Sequence, residues 1–227
     1  MPSFVCSAIL FDLDGVLLDS TRVVAAQYTR WALENRLDPD YVMQAAHGVR
    51  TVEVIRRVAP HLDAVAETKK IEDREAAADG IVPIPGALAL LNSIPRGRWA
   101  VVTSGTRFLA VTRMQRFGIP VPEIVVTADD VSKGKPDPEP YRRAAELLRT
   151  SPSECVVFED APAGIRSAHS AGMKVISLPS TYPVSELHEA DAIVSGLSEI
   201  KVSMDGAGGQ GSLRVSLRTT EAGRSNS

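Results

Sequence analysis

Ala8-Ile9-Leu10-Phe11-Asp12-Leu13-Asp14-Gly15-Val16 joins an apolar run to two carboxylates two residues apart. If the run is a buried strand, the side chains at 12 and 14 point the same way where the strand leaves its sheet. One carboxylate is then set to attack and the other to move protons. Gly15 lets the chain turn away sharply, because it carries no Cβ. The spacing alone decides little, since Asp38-Pro39-Asp40 repeats it. No apolar strand precedes that second pair and Pro39 marks a turn, so it reads as surface. A helix cap or a solvated loop is the competing reading of the first pair, and a phosphoryl-transfer site requires further residues to join it.

Outward from this stretch, strand-like and helical runs alternate from residue 81 onward. Strands are expected at 5–11, 99–103, 124–126, 155–158, 174–178 and 192–194, with helices near 86–94, 106–117, 138–149, 162–171 and 184–190. Such alternation signals a parallel sheet wrapped by helices through right-handed crossovers. Residues 20–79 break the pattern, being rich in Ala, Val, Arg and Glu at helical spacing with almost no strand signal. The expected fold class is therefore α/β, a doubly wound parallel-sheet Rossmann-like core with an inserted α-helical cap. The core takes residues 1–17 and 82–203 and the cap residues 18–81, with hinges at 15–19 and 80–85. An insertion there lies over the carboxyl ends of the strands, where open α/β sheets bind ligands, and acts as a lid that excludes water. Residues 204–227 hold a Gly-rich loop, a hairpin strand at 213–217 pairing with 200–203, and a frayed tail.

With 227 residues and 44% hydrophobic content the chain can bury a substantial core. A formal charge of -3 and a pI near 5.8 provide no general field for a nucleic-acid backbone, so no nucleic-acid partner is expected and phosphate recognition is local. No window approaches about 18 uninterrupted apolar residues, so no membrane association is expected. Cys6 and Cys155 read as buried thiols of a reducing compartment, and a cytoplasmic monomer is the expectation. Trp31 and Trp99 read as packing groups, and His61, His169 and His188 receive no role.

Three more strand ends carry suitable chemistry. The strand at 99–103 runs into Thr103-Ser104-Gly105-Thr106, presenting a hydroxyl and backbone N–H groups to a phosphate oxygen at a helix start, against an ordinary Ser/Thr cap. The strand at 155–158 runs into Glu159-Asp160, hard oxygen ligands suited to Mg²⁺, against a cap and dipole partner. Lys135, fixed by Pro136 in the loop 132–141, reaches for a shared anionic centre; a surface loop is the alternative.

In this order the motifs resemble those of the haloacid-dehalogenase-like hydrolase superfamily, in the group with a helical cap after the first strand. Asp12-Leu13-Asp14-Gly15, Thr103-Ser104, Lys135 and Glu159-Asp160 carry the likeness, which spans roughly residues 5–202. Stretches 99–107 (WAVVTSGTR), 134–141 (GKPDPEPY), 158–165 (FEDAPAGI) and 47–51 are similar to glycerol-phosphate, deoxyglucose-phosphate and related sugar phosphatases. The resemblance implies that Asp12 is the nucleophile of an aspartyl-phosphate mechanism and Asp14 the general acid and base. Asp14 must then start protonated, and crowding by neighbouring carboxylates is one physical cause that could raise its pKa. It implies that Ser104 and Lys135 hold the phosphoryl oxygens, beside Thr103 and Gly105. Mg²⁺ would be held by Asp12, the carbonyl of Asp14 and Asp160, with Glu159 nearby. His47 and Arg50, three apart on a helical turn, would face a small-molecule phosphate monoester from the cap; a solvated helix face is the alternative. A β-phosphoglucomutase-type mutase shares these motifs, but such mutases typically carry a His in the first cap helix where this chain has Val24.

Overall fold

The apolar run before Asp12 is strand β2 (Ala8–Phe11), which follows β1 (Ser3–Cys6) and is buried along its whole length. The computed structural model describes residues 2–46, 48–205 and 211–218. His47, the middle of the Gly-rich stretch and residues 219–227 lie outside the described residues.

After β2 come β3 (Leu18–Asp19), α1 (Thr21–Glu34), α2 (Pro39–Ala46), α3 (Thr51–Val58), α4 (Ala64–Ala77) and β4 (Val82–Pro83). The chain continues through α5 (Ala87–Ser93), β5 (Trp99–Val102), α6 (Arg107–Arg116), β6 (Val125–Val126), α7 (Glu139–Leu147) and β7 (Cys155–Glu159). It finishes with α8 (Pro162–Ser170), β8 (Lys174–Ser177), β9 (Ala192–Ile193), β10 (Ile200–Asp205) and β11 (Ser212–Leu217).

Six strands form one parallel sheet in the order β6-β5-β2-β7-β8-β9. The expected α/β fold is present. Because successive side chains point to opposite faces, Ile9, Phe11, Val101 and Phe158 pack into one core cluster and Ala8, Leu10, Val102 and Val157 into another. Burial on both faces explains why β2, β5 and β7 read as unbroken apolar runs. β2 lies between β5 and β7, so the segments that follow all three strands emerge side by side at one edge of the sheet.

Two expectations need correction. The single strand expected at 5–11 breaks at Ser7, whose N–H donates to the carbonyl of Glu154 at 2.7 Å. β1 leaves the parallel sheet and pairs antiparallel with β11, which also pairs with β10. Leu213, Val215 and Leu217 of β11 join the cluster that holds Ile9 and Phe11, so this strand is packed into the core rather than appended to it. The expected helix at 184–190 is a single 3-10 turn, Val184–Glu186. With Pro183 before it and so few residues, the segment forms too few hydrogen bonds to offset helix nucleation.

The four helices between β3 and β4 enclose their own apolar cluster around Tyr28, Trp31, Val42, Ile55 and Ile71. Trp31 sits there as a packing group, and its indole N–H donates to Glu67 at 2.8 Å. Both ends of this helical segment are tied together, since β3 and β4 pair antiparallel. The second Asp pair, Asp38 and Asp40, is exposed, and Asp38 accepts from the N–H of Asp40 at 2.9 Å at the start of α2. Among the described residues no helix is long and apolar enough to cross a membrane.

Candidate active site

Asp12 directly follows β2, and its N–H donates to the carbonyl of Phe158 in β7 at 3.0 Å, which ties the two strand ends. The loop after it folds back tightly: the N–H groups of Leu17 and Leu18 donate to Leu13, and that of Gly15 to Leu18. Gly15 adopts φ of 80°, in the left-handed region. A Cβ at this position would collide with the carboxylate of Asp160. Glycine is thus needed both for the turn and for Asp160 to approach it.

Lys135 reaches this point from the loop before α7. Its ammonium donates to Asp12 Oδ1 at 2.6 Å, Glu159 Oε1 at 2.6 Å and the carbonyl of Val102 at 3.1 Å. The Tyr141 hydroxyl donates to Glu159 Oε1 at 2.8 Å, while Glu159 Oε2 accepts from the N–H groups of Asp160 and Ala161 at 3.0 and 3.2 Å. Burial works against the Lys135 charge, but Asp12 and Glu159 outweigh it and shift its pKa upward, so the ammonium stays charged. Burial pushes Asp12 up to about 7 despite the pull of Lys135. Asp160, hydrogen-bonded by the Thr181 side chain, is pushed well above the usual carboxylate range by burial and then by Glu159 and Asp12.

Asp12, Glu159 and Asp160 present oxygens within 4.8 Å of one another. Burial and mutual repulsion work against the charged forms of Asp12 and Asp160, a penalty that a divalent cation would relieve, and an all-oxygen donor set suits a hard ion. Glu159 is already occupied by Lys135, Tyr141 and backbone N–H groups, so Asp12 and Asp160 are the freer donors.

Asp14 faces a different set of partners. Its Oδ1 accepts from Ser20 Oγ at 2.6 Å and from Arg113 Nη1 at 2.7 Å. Its direct neighbours are thus a hydroxyl and a guanidinium, not the carboxylates expected from the sequence. Arg113, on α6, is buried and also donates to Glu75 of α4 at 3.0 Å. Burial pushes Glu75 up to about 7, with Arg113 opposing.

A cavity of about 110 Å³ lies above these groups, lined by Asp12, Asp14, Thr103, Ser104, Lys135 and Asp160 from the core side. Gly105 also lines it, with its N–H donating to Thr103 Oγ1 at 3.2 Å. The Ser104 hydroxyl donates to the carbonyl of Gly48 at 2.9 Å, so the expected phosphate ligand touches the helical segment. Arg50 is brought elsewhere. Gly48, with φ of 73°, lies between α2 and α3, and Arg50 is the residue before α3. Its guanidinium donates to the carbonyls of Val131 and Ser132 at 3.0 and 2.8 Å and to Glu53, and it does not line this cavity. Sequence reasoning missed Ser20, Glu75, Arg113, Tyr141 and Thr181. Only Tyr141 lay within a quoted motif; a basic residue in the last turn of α6 looks like an ordinary solvated group.

A family model described as haloacid dehalogenase-like hydrolase matches residues 9–178. The chain belongs to this family. Hexitol phosphatase A of Escherichia coli is 39% identical over 204 residues, covering 87% of this chain and 94% of the relative. Glycerol-1-phosphate phosphohydrolase 2 of Saccharomyces cerevisiae is 36% identical, covering 86% and 84%. 2-Deoxyglucose-6-phosphate phosphatase 1 of the same yeast is 34% identical, covering 89% and 92%. Among solved structures, a hydrolase from Pseudomonas syringae superposes with a TM-score of 0.75 at 24% identity, covering 85% of this chain and 94% of that one. CbbY from Rhodobacter sphaeroides, in complex with phosphate, gives 0.76 at 23%, covering 86% and 96%. These two likenesses concern the fold. In this hydrolase of the haloacid dehalogenase-like family, the matched span runs from β2 through β8.

Proposed function

We propose that this hydrolase is a phosphatase of small phosphorylated sugars or polyols, working through an aspartyl phosphate on Asp12 as a cytoplasmic monomer. The observation that carries this reading is the meeting of Asp12, Lys135 and Asp160 at the floor of one cavity. Asp12 attacks phosphorus with a carboxylate oxygen, and the bond from phosphorus to the ester oxygen breaks. Asp14, once it has taken up a proton from solvent, gives it to the departing alkoxide, then takes one from the water that attacks the phosphoryl group, releasing phosphate and restoring Asp12 and the protonated Asp14. Lys135 holds Asp12 in place and supplies fixed positive charge, while Thr103, Ser104 and Gly105 offer donors to the phosphoryl oxygens. Asp12 and Asp160, with the carbonyl of Asp14, would hold Mg²⁺, whose charge would offset that of the phosphoryl oxygens. The helical segment 18–81 is the cap of the proposed two-part organisation, closing the cavity to water.

Val24 lines the cavity where a mutase of this family would offer a histidine. An aliphatic side chain cannot exchange protons with a sugar hydroxyl, so a hydrolytic outcome is favoured. The test is phosphate release from a panel of sugar and polyol phosphates with Mg²⁺, repeated with Asp12→Asn. Multiple turnovers in the parent and a loss of roughly 10⁴-fold or more in the variant are expected. Isomer without free phosphate would point to a mutase, and normal turnover by Asp12→Asn would remove the nucleophile.

A further inference from the structure

Among the described residues, the cap side of the cavity holds one buried side-chain polar atom without a hydrogen-bond partner. Glu75, in the last turn of α4, is 3% exposed and lines the cavity. Its Oε2 accepts from Arg113 Nη2 at 3.0 Å, but its Oε1 is buried with no hydrogen-bond partner among the described residues. A buried carboxylate oxygen without a donor is costly, and native structures supply one. Beside it the cavity is lined by Tyr28 and Thr51. The Tyr28 hydroxyl donates to Thr51 Oγ1 at 3.0 Å, so the tyrosine oxygen keeps acceptor capacity of its own. This wall therefore wants donors of hydrogen bonds, and a polyol supplies them as hydroxyl groups.

Arg113 gives this wall its register. The same guanidinium that holds Glu75 donates through Nη1 to Asp14 Oδ1 at 2.7 Å. One rigid fork thus spaces a hydroxyl acceptor on the cap from the acid on the core. We propose that Glu75 is a specificity-determining residue, accepting a hydroxyl of the alcohol half of the substrate, while Arg113 fixes it relative to Asp14 so that the neighbouring ester oxygen meets the acid. The inference rests on the phosphatase reading above and adds the residue by which the cap selects esters bearing a free hydroxyl close to the phosphate.

The experiment compares kcat/KM for glycerol 1-phosphate and propyl phosphate, which differ by the hydroxyls, in the Mg²⁺-loaded full chain and in Glu75→Gln and Glu75→Ala. The parent is expected to favour glycerol 1-phosphate by about 100-fold or more, because a site built to bond a hydroxyl rejects the analogue without one. Each variant is expected to lose at least about ten times more on glycerol 1-phosphate than on propyl phosphate, shrinking that preference. Equal losses on both esters would make Glu75 a packing group and overturn the inference. So would a parent that hydrolyses both esters equally well, whether or not the variants fold. Hydrolysis of neither ester, nor of any other hydroxylated phosphate monoester, would instead bring down the phosphatase reading.

Discussion

The floor of the cavity and its cap wall are built on opposite plans. On the floor, Glu159 accepts from four donors and Lys135 donates to three acceptors, and none of these groups carries an unpartnered buried atom. At the seam with the helical segment, Glu75 Oε1, Arg113 Nε and Arg50 Nε are buried without partners among the described residues. A saturated network is rigid and presents the same geometry to every ester. An unsaturated wall favours the ligand that completes it. On the proposed reading, the reaction belongs to the sheet edge and the choice of substrate to the helical segment.

Breaking the floor should have the largest effect. Lys135→Met leaves Asp12 and Glu159 buried without their shared cation, and such a loss typically costs about 3–5 kcal/mol. Urea unfolding in the presence of a chelator measures it, and a change below about 1 kcal/mol would show that the ammonium does not hold the floor together. The fork between floor and wall comes next. Arg113→Met frees Asp14 and should lower hydrolysis of alkyl phosphates by roughly 10²–10⁴-fold, the range attributed to general acid-base catalysis. A nitrophenyl phosphate, whose leaving group needs little protonation, should suffer at least about tenfold less. Parallel losses on the two esters would reduce Arg113 to a packing role.

The smallest effect is expected where the cap only rests on the core. Arg50 bridges to the carbonyls of Val131 and Ser132, and Gly134 packs so closely that a Cβ there would meet the Arg50 side chain at 2.8 Å. Arg50→Ala should raise KM a few-fold for all esters alike and speed amide exchange in the loop 131–134, since hydrogen bonds from a charged group contribute roughly 1.5–3 kcal/mol. Faster exchange without any preference among substrates would separate this latch from the selective wall. A selective loss on one ester would return Arg50 to substrate contact.

Much of the floor was legible because its signals are local. β2, β5 and β7 announce themselves as apolar runs, and the polar residues that terminate them sit at fixed positions in the chain. Strand partners were less legible. β1 and β2 read as one run because Ser7 is no breaker by composition; only pairing with β11, some two hundred residues on, draws the first half away. The turn at Val184–Glu186 read as a helix because periodicity does not count the hydrogen bonds that a short segment can close. The contacts that Arg50 makes with the carbonyls of Val131 and Ser132 were not legible, because those residues lie some eighty positions further along the chain.

By itself the sequence determined the alternation of strands and helices through the parallel sheet, the identity of the groups at the strand ends and the helical insertion between the first two parallel strands. Each of these depends on neighbours a few residues away. Which side chains complete the site was decided only in three dimensions. Arg113 meets Asp14 across 99 positions and Glu75 across 38, and Lys135 meets Asp12 across 123. Charge pairing depends on distance through space and on exclusion from water, and neither is written in the spacing of residues along the chain.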